Sequence, residues 1–520
     1  MKPLLSIYLL FISLNVFPKT ENANFFNCSL IIDDFLWMSV TEVSNLQYKT
    51  FLDAHFDDDS YYDLFPDTVL WQKEFDYSET YVNYYFRHPA YNDYPVVCIT
   101  KNKAEKFCIW LTKSINKILK EDEENTVKKI IVRLPTEREW KYAARGGLSQ
   151  WNEFPWIGKS LRINEGKNKG KIRLNFKRAN GDLMGVAGNL GDAADVTAPV
   201  KSYWPNGYDL YNMCGNVSEF VADNDYAFGG NWNSSGFNVK IDSKINAKAS
   251  PLNGFRYVIE VVEWSPVKRK KAFVINKKYF NNSLTSINDT LSIMNYEVSN
   301  ELYNYFLKSK DYSRPDSSLW NDKFWYANQY ANKYHWHPNF DKYPVVNISM
   351  KDVEAFSNWL TEKYLKSTKV NAYFRLPKEI EWVHAARGKD NIPSYYPWGG
   401  SFIRNTKGSF LCNFRPYLEM YMNYDNYGNI IYDLPPNSDP MLCADLDGYS
   451  IVAPVKSYYS NEYGLYNMSG NVAEMIFNAD FTKGGSWNSE IHEVTINNRE
   501  YNLNIGPDIG FRLVLVKKNE

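Results

Sequence analysis

The sequence predicts two tandem domains of the α+β class, each with little regular secondary structure for its size. Three observations support this prediction. One ordered set of motifs occurs twice along the 520 residues. Apolar residues with helical spacing lie early in each copy, and chain rich in Gly, Asn, Asp and Pro with short strand patterns follows them.

Composition limits the classes of function. Hydrophobic residues make up 44% and charged residues 23%, which excludes wholesale disorder. Lys and Arg number 59 and Asp and Glu number 60, so the formal net charge is −1. Because such a chain has no overall field that attracts polyanions, we expect no nucleic-acid partner.

The first 23 residues have the layout of a secretory signal peptide, with a basic start, an apolar run from Leu4 to Phe17 and a polar exit after Pro18. The run is too short for a comfortable membrane span, and no later stretch is long and apolar enough. We therefore expect a signal peptide at 1–23, no transmembrane span, and a mature protein that is secreted or lies in the periplasm or cell envelope. The alternative is a buried N-terminal helix or strand.

Internal repetition divides the chain. The sequence Tyr-Pro-Val-Val at 94–97 recurs at 343–346, an offset of 249, and Ala-Pro-Val-Lys-Ser-Tyr at 198–203 recurs at 453–458, an offset of 255. A solenoid is excluded because its units are far shorter. The predicted segments are a first domain at 24–265, a linker at 266–280 and a second domain at 281–520.

Helix signals open the first copy. Ser44 with Gln47, and Thr136 with Glu139, are typical of capping boxes, and Gly146 is typical of a helix end. A longer helix is predicted from apolar residues at i, i+3, i+4 and i+7, namely Ala104, Phe107, Cys108 and Leu111.

The second copy repeats these signals. Ser349 with Asp352 predicts a capped helix, and Val353, Phe356 and Leu360 share one face of it. Beyond the predicted helices, each copy turns to loop-rich chain with short strands, such as the one at 257–259. Each half therefore contains about three helices followed by a loop-dominated lobe.

Further motifs recur in the same order, among them Glu-Val-Ser-Asn, Arg-Leu-Pro, Pro-Trp, Gly-Asn-Val-x-Glu, Gly-Gly-x-Trp and Gly-Phe-Arg. In the first copy they lie at 42–45, 133–135, 155–156, 215–219, 229–232 and 254–256. In the second copy they lie at 297–300, 375–377, 397–398, 470–474, 484–487 and 510–512. Together they resemble the formylglycine-generating enzyme, or sulfatase-modifying factor, family. The resemblance implies two tandem domains with a C-type-lectin-like fold.

Members of this family commonly hold calcium, and the resemblance implies the ligands. One kind of site would use Asn216 and Glu219, and in the second copy Asn471 and Glu474. The other would use Asn413 and Asp447 with the carbonyls of Phe414 and Tyr449, and in the first copy Asn175 and Asp192 with the carbonyls of Phe176 and Ala194. Hard oxygen donors suit calcium. The alternative is that these side chains only brace turns by hydrogen bonding.

The family's enzymes oxidise a substrate cysteine to formylglycine with oxygen at a copper-binding pair of cysteines. The positions that correspond to this pair hold Ser234 and Val239 in the first copy, and Ser489 and Val494 in the second. Hydroxyl and alkyl groups do not replace the soft thiolates that Cu(I) prefers. We therefore expect no copper and no catalytic residues, as in a pseudoenzyme.

The expected function is that of an exported, inactive sulfatase-modifying-factor-like protein, a binding or scaffold module with a protein partner in the cell envelope. Similar non-catalytic domains occur in gliding-motility and associated secretion machinery. Two alternatives remain open. One is a formylglycine-generating-type oxidoreductase, and the other is a lectin-like binder of glycan or peptide. Trp232 and Trp487 would line the groove of such a binder, unless they belong to the core.

Overall fold

The computed structural model divides into two compact units, Met1–Ser265 and Pro266–Glu520. The expected signal peptide at 1–23 and the first part of the expected linker lie outside the described residues. The structure describes residues 27–32, 36–58, 61–121, 127–148, 152–177, 194, 196–264, 273–309, 312, 314–320, 327–389, 393–415, 421–424, 430–433, 449, 451–501 and 505–518.

The first unit combines helices in its first half with short strands throughout. Its helices are α1 (Asn45–Asp53), α2 (Leu70–Glu74), α3 (Glu79–Tyr84), α4 (Lys101–Glu121) and α5 (Glu137–Arg145). Its strands are β1 (Cys28–Ile32), β2 (Leu36–Ser39), β3 (Val127–Arg133), β4 (Ser218–Phe220), β5 (Tyr226–Phe228), β6 (Lys244–Asn246), β7 (Asn253–Gly254) and β8 (Val258–Trp264).

Two small sheets organise the first unit. One is antiparallel, with the order β1-β2-β8-β3, and brings the first and last strands of the unit together. The other has the order β6-β5-β4-β7, in which β4 and β7 run parallel. The two strands of that parallel pair carry the Gly-Asn-Val-x-Glu and Gly-Phe-Arg motifs, so the second sheet aligns motifs that are distant in sequence.

The core of the first unit lies between α4 and the antiparallel sheet. Phe107 on α4 stacks against Tyr48 of α1 at 6.0 Å between ring centroids, and it meets Phe255 edge to face at 5.4 Å. Thr112 fixes α4 to β3, because its Oγ1 accepts a hydrogen bond from the backbone N–H of Val132 at 2.8 Å. The apolar stripe predicted for this helix is therefore confirmed.

The second unit repeats this plan. Its helices are α6 (Lys277–Ser283), α7 (Asn300–Ser309), α8 (Ala327–Lys333), α9 (Met350–Thr368) and α10 (Glu379–Arg387). Its strands are β9 (Leu284–Ser286), β10 (Leu291–Met294), β11 (Ala372–Arg375), β12 (Tyr421–Tyr424), β13 (Ile430–Asp433), β14 (Ala473–Met475), β15 (Thr482–Lys483), β16 (Ile509–Gly510) and β17 (Val514–Lys517). Helix α6 overlaps the end of the expected linker, and its Phe280 is buried in the core of this unit.

The sheets of the second unit have matching topology. An antiparallel sheet has the order β11-β17-β10-β9, and a smaller sheet has the order β15-β14-β16, with β14 and β16 parallel. Strands β12 and β13 form a separate hairpin. Phe356 on α9 packs against Tyr303 and Phe511, as its counterpart Phe107 does in the first unit.

Local helix signals in the sequence are confirmed. Capping boxes form at Ser44 with Gln47, at Thr136 with Glu139 and at Ser349 with Asp352, and Gly146 ends α5 in a left-handed conformation. The prediction of about three helices per copy was too low. Helices α2 and α3 were missed because neither begins with a side-chain cap. Within the described ranges, no helix has the length and apolar character needed to cross a bilayer.

Candidate functional site

A buried ion pair lies at the centre of the first unit. Glu219 and Arg256 are both fully buried. The guanidinium donates from Nε to Glu219 Oε2 at 2.6 Å and from Nη2 to Glu219 Oε1 at 2.8 Å. Nη1 and Nη2 also donate to the carbonyl oxygens of Ser39 and Tyr211, respectively. Such a bidentate pair fixes the orientation of both side chains.

Two further motifs contribute side chains to the same place. Trp140 on α5 donates its indole N–H to Glu219 Oε2 at 2.6 Å. Glu42, from the turn that precedes α1, is fully buried and accepts hydrogen bonds from the amides of Asn212 and Asn216 at 3.1 and 2.8 Å. We call Glu42, Trp140, Asn216, Glu219 and Arg256 the first charge cluster.

The second unit contains the same arrangement. The second charge cluster consists of Glu297, Trp382, Asn471, Glu474 and Arg512. Arg512 donates from Nε to Glu474 Oε2 at 2.7 Å, and Trp382 donates to the same oxygen at 2.7 Å. Asn471 donates to Glu297 Oε1 at 2.8 Å. The repetition of five residues in one geometry indicates that the fold itself requires the cluster.

Each cluster places two carboxylates beside a single guanidinium. If all three groups are ionised, the buried charge is −1. Burial raises the pKa of Glu42 and of Glu297 to about 7, although the positive charges of Arg256 and Arg512 act to lower it. The pKa of each arginine is raised by its carboxylate partner, although burial acts in the other direction. A proton or a bound cation would neutralise the excess charge.

The residues expected to bind calcium meet protein partners. Asn216 Oδ1 accepts hydrogen bonds from the backbone N–H of Ala198 at 2.7 Å and from the Asn175 amide at 3.1 Å. Asn175 and Asn216, expected in two separate sites, are therefore in contact. Asn413 likewise donates to Asn471 Oδ1, at 3.2 Å.

The described residues therefore suit calcium in their charge but not in the availability of their oxygen ligands. The charge of each cluster suits a cation, whereas the amide oxygens of Asn216 and Asn471 are already engaged. The expected ligands Asp192 and Asp447 lie outside the described residues. Among the residues that are described, no group of three or more His, Cys, Asp or Glu side chains is arranged to hold a metal.

Glycine is required at the first position of the Gly-Asn-Val-x-Glu motif, where the backbone passes close to Asn175 or Asn413. Gly215 has φ +76°, and a Cβ atom there would lie 2.3 Å from the carbonyl oxygen of Asn175. Gly470, with φ +73°, would meet the carbonyl oxygen of Asn413 at 2.1 Å. Only glycine permits both the backbone conformation and the close approach.

The positions of the family's cysteine pair are occupied by packed residues. Ser234 Oγ accepts from the backbone N–H of Asn231 at 3.1 Å, and Ser489 Oγ accepts from that of Ser486 at 3.0 Å. Val239 and Val494 are completely buried. These residues hold a turn and fill the core.

The two tryptophans expected to line a groove belong to the packing. Trp232 is half-buried and stacks on Trp71 with ring centroids 6.1 Å apart, and it contacts Phe75 at 4.9 Å. Trp487 is buried and donates its indole N–H to the carbonyl of Pro507 at 3.3 Å. The core-packing interpretation accounts for these contacts.

Sequence reasoning missed the acid in each cluster. Glu42 and Glu297 open the Glu-Val-Ser-Asn motif, of which only Ser44 was given a role, as a helix cap. A signal was present, because both acids recur at corresponding positions beside helix caps. Arg256 and Trp140 were given no role, since their partner Glu219 lies 37 and 79 residues away.

The charge clusters predict a pH dependence of stability. In the unfolded chain a glutamate loses its proton near pH 4.3, whereas Glu42 retains it until about pH 7. The unfolded state therefore binds fewer protons in this window, and the free energy of unfolding falls as pH rises from about 4.5 to 7. We expect Glu42→Gln to remove this contribution, of about 3 kcal/mol at most.

The measurement is urea unfolding of the full chain at pH 5 and pH 7 in the presence of a chelator. Glu105→Gln, at an exposed position on α4, is the matched control. The destabilisation caused by Glu42→Gln should be smaller at pH 7 than at pH 5. Equal destabilisation at both pH values would contradict the prediction that Glu42 in the folded protein stays protonated up to about pH 7.

Comparison with known proteins agrees with the duplicated plan. The family model described as sulfatase-modifying factor enzyme 1-like domain matches residues 27–261 and again 268–517. The formylglycine-generating enzyme of Thermomonospora curvata is 36% identical over 131 residues, which cover 25% of this chain and 34% of that protein. The inactive C-alpha-formylglycine-generating enzyme 2 of Bos taurus is 32% identical over 131 residues, with coverage of 25% and 33%.

The matched segment thus spans about a third of the length of these relatives. Among solved structures, Treponema denticola variable protein 1 is 19% identical with a TM-score of 0.28, and the match covers 45% of this chain and 91% of that one. The helices and strands of both units agree with the expected α+β class. Because the family model covers nearly all of the described chain in two consecutive matches, the protein belongs to the sulfatase-modifying factor family and contains two of its domains.

Proposed function

We propose that this protein is a non-catalytic tandem member of the family that acts as an exported binding or scaffold module in the cell envelope. The observation that carries the proposal is the replacement of the cysteine pair by Ser234 and Val239, and by Ser489 and Val494. One related protein, that of Bos taurus, is itself named inactive. The family therefore includes members without the activity.

The surroundings of these positions support a structural role. The Ser234 hydroxyl also donates to Asn231 Oδ1 at 3.1 Å, so it closes a turn. Valine has no electron pair to donate to a metal ion. Val239 is completely buried, so its side chain fills the space where another metal ligand, such as water, would have to enter.

Other thiols of the first unit do not compensate. Cys108 and Cys214 are buried, and burial raises the pKa of both thiols well above the usual range. Each of these residues is only 2% exposed, so Cu(I) does not reach either sulfur atom without local opening of the fold.

The location in the envelope rests on the apolar N-terminal sequence, and a role in gliding motility or protein secretion rests on family resemblance alone. Two packed domains without a redox centre suit the presentation of a fixed surface to a protein partner. Fractionation of the source cells, followed by immunodetection, tests the location. Recovery in the cytosolic fraction would contradict it.

The proposal predicts that the purified protein does not oxidise a cysteine. Incubated with copper, oxygen and a cysteine-containing sulfatase peptide, the chain should consume no oxygen above the blank and form no aldehyde. Introducing both cysteines, as Ser489→Cys with Val494→Cys, should raise the affinity for Cu(I), because two thiolates are then available. Cu(I) competition with a chromophoric chelator measures this affinity.

A turnover by the unmodified protein that Ser489→Ala abolishes would overturn the proposal. Ser409→Ala is the matched control, since Ser409 is an exposed serine of the same unit. Turnover that both substitutions leave unchanged would point to a contaminating oxidase, and purification to constant activity would then decide the matter.

We also propose that calcium binds at the charge clusters, where Glu219 and Glu474 lie beside the buried acids Glu42 and Glu297. The support is the excess negative charge of each cluster when its groups are ionised, together with the carboxylate oxygens, which are the kind of ligand that calcium prefers. Calcium at the two sites expected around Asn175 and Asn413 remains a prediction.

Calcium should therefore raise the melting temperature of the protein at pH 7.5, because a ligand that binds only the folded state stabilises it against unfolding. The variant with both Glu42→Gln and Glu297→Gln should lose this rise, while Glu105→Gln should keep it. Scanning calorimetry with and without calcium measures the effect. No rise in either unit would remove the calcium proposal.

A further inference from the structure

The second unit carries a group of cations that share one carboxylate. Glu379, at the start of α10, accepts two hydrogen bonds from Arg499, at 2.6 and 2.7 Å. The Nζ atom of Lys483 lies 3.6 Å from Glu379 Oε1. Arg387, at the end of α10, donates to Asn497 Oδ1 at 3.2 Å. With all four groups ionised, the three cations exceed the carboxylate by two charges.

Lys483 is the exceptional member of this group. Its side chain has 0% exposure, and Nζ makes no hydrogen bond to any residue that the structure describes. It lies 5.7 Å from the ring centre of Trp382. Burial lowers the pKa of Lys483 to about 8, although the Glu379 carboxylate acts in the opposite direction, and Arg499 and Arg387 add to the lowering. An ammonium that is buried and still largely charged at pH 7 requires an acceptor.

Arg387 also has a buried donor nitrogen that makes no hydrogen bond to a described residue. Its Nε atom is buried and makes no hydrogen bond within the described ranges, although Nη2 reaches Asn497. Lys483 on β15 and Arg387 on α10 thus each have a buried donor nitrogen without a hydrogen bond in the described ranges, and Glu379, the ion-pair partner of Lys483, already accepts two hydrogen bonds from Arg499. Together with the excess charge, they indicate a ligand that brings several acceptor oxygens at once.

The corresponding region of the first unit contains a second carboxylate, that of Asp242, which pairs with Lys141 as well as with Arg145. The position of Lys483 is held there by Phe228, and the position of Asn497 by Asp242. The Asp242 carboxylate pairs with Arg145, the counterpart of Arg387, at 3.6 Å. Because Val383 stands in the second unit where Lys141 stands in the first, both units place three cations here, and the second unit has one carboxylate fewer.

We propose that the second unit binds a tetrahedral oxyanion, of phosphate or sulfate type, between Lys483, Arg387 and Arg499. Guanidinium groups and an ammonium supply several charge-assisted hydrogen bonds to such an anion. The side chains of Arg499 and Glu379 are 47% and 28% exposed, so the site opens to solvent. The anion reaches Lys483 by displacing Glu379 from it.

The test is isothermal titration of the full chain with inorganic phosphate at pH 7 and constant ionic strength. We expect one saturable site in the unmodified protein. Asn497→Asp restores the carboxylate found in the first unit and should weaken binding by about tenfold, because it competes for Arg387. Glu379→Gln should tighten binding, since it removes the competing carboxylate.

Control variants distinguish binding at this site from a general effect of the protein's charge on phosphate affinity. Asn288→Asp adds the same charge to an exposed turn of the second unit, where the side-chain oxygen accepts hydrogen bonds from the turn, and should leave the affinity unchanged. Lys483→Phe should abolish binding. If this variant fails to fold by circular dichroism, the opposite effects of the Asn497 and Glu379 variants still decide the question.

Parallel titrations with sulfate, O-phosphoserine and acetate identify the ligand chemistry. Binding of phosphate and sulfate would support a site for free anions, and binding of O-phosphoserine would extend it to a monoester on a larger molecule. Acetate binding as tight as that of phosphate would overturn the tetrahedral assignment. The proposal would also fail if phosphate shows no saturable binding, or if Asn497→Asp binds as tightly as the unmodified protein.

Discussion

The buried pair of Glu219 and Arg256, repeated as Glu474 and Arg512, is the interaction on which each unit depends. The Arg256 guanidinium connects the two sheets of the first unit, because it donates to the carbonyl oxygen of Ser39 on β2 and to Glu219 on β4. Removing one member of a buried pair leaves an uncompensated charge, which typically costs about 3–5 kcal/mol. Because this requirement is structural, the motif residues are needed whether or not the protein catalyses a reaction.

This separation of structural from catalytic residues explains how the two copies have diverged. Both keep the charge cluster, with the same residue types in the same geometry. Both lack the cysteine pair, whose positions now serve packing. The copies also differ in buried charge, since Phe228 in one corresponds to the buried Lys483 in the other. Differences in binding between the two units are therefore expected outside the clusters.

The sequence allowed the local features to be predicted and left the distant ones open. Ser44 with Gln47 lies within one helical turn, so the capping box follows from spacing alone. The contact between Glu42 and Asn216 spans 174 residues, and no spacing rule connects them. The interpretation of Asn216 as a metal ligand rested on its residue type and its motif. It could not foresee that Ala198 and Asn175 already bond to the same oxygen, because amide orientation is set by the tertiary structure.

The most direct test of the central account, that the motif residues form a structural charge cluster, is a double-mutant cycle on Glu219 and Arg256. The account predicts that Arg256→Met or Glu219→Leu alone lowers the free energy of unfolding by about 3–5 kcal/mol. It also predicts that the double variant loses much less than the sum of the two, because neither charge is then stranded. If the two losses simply add, the pair is not the constraint described here, and the account is contradicted.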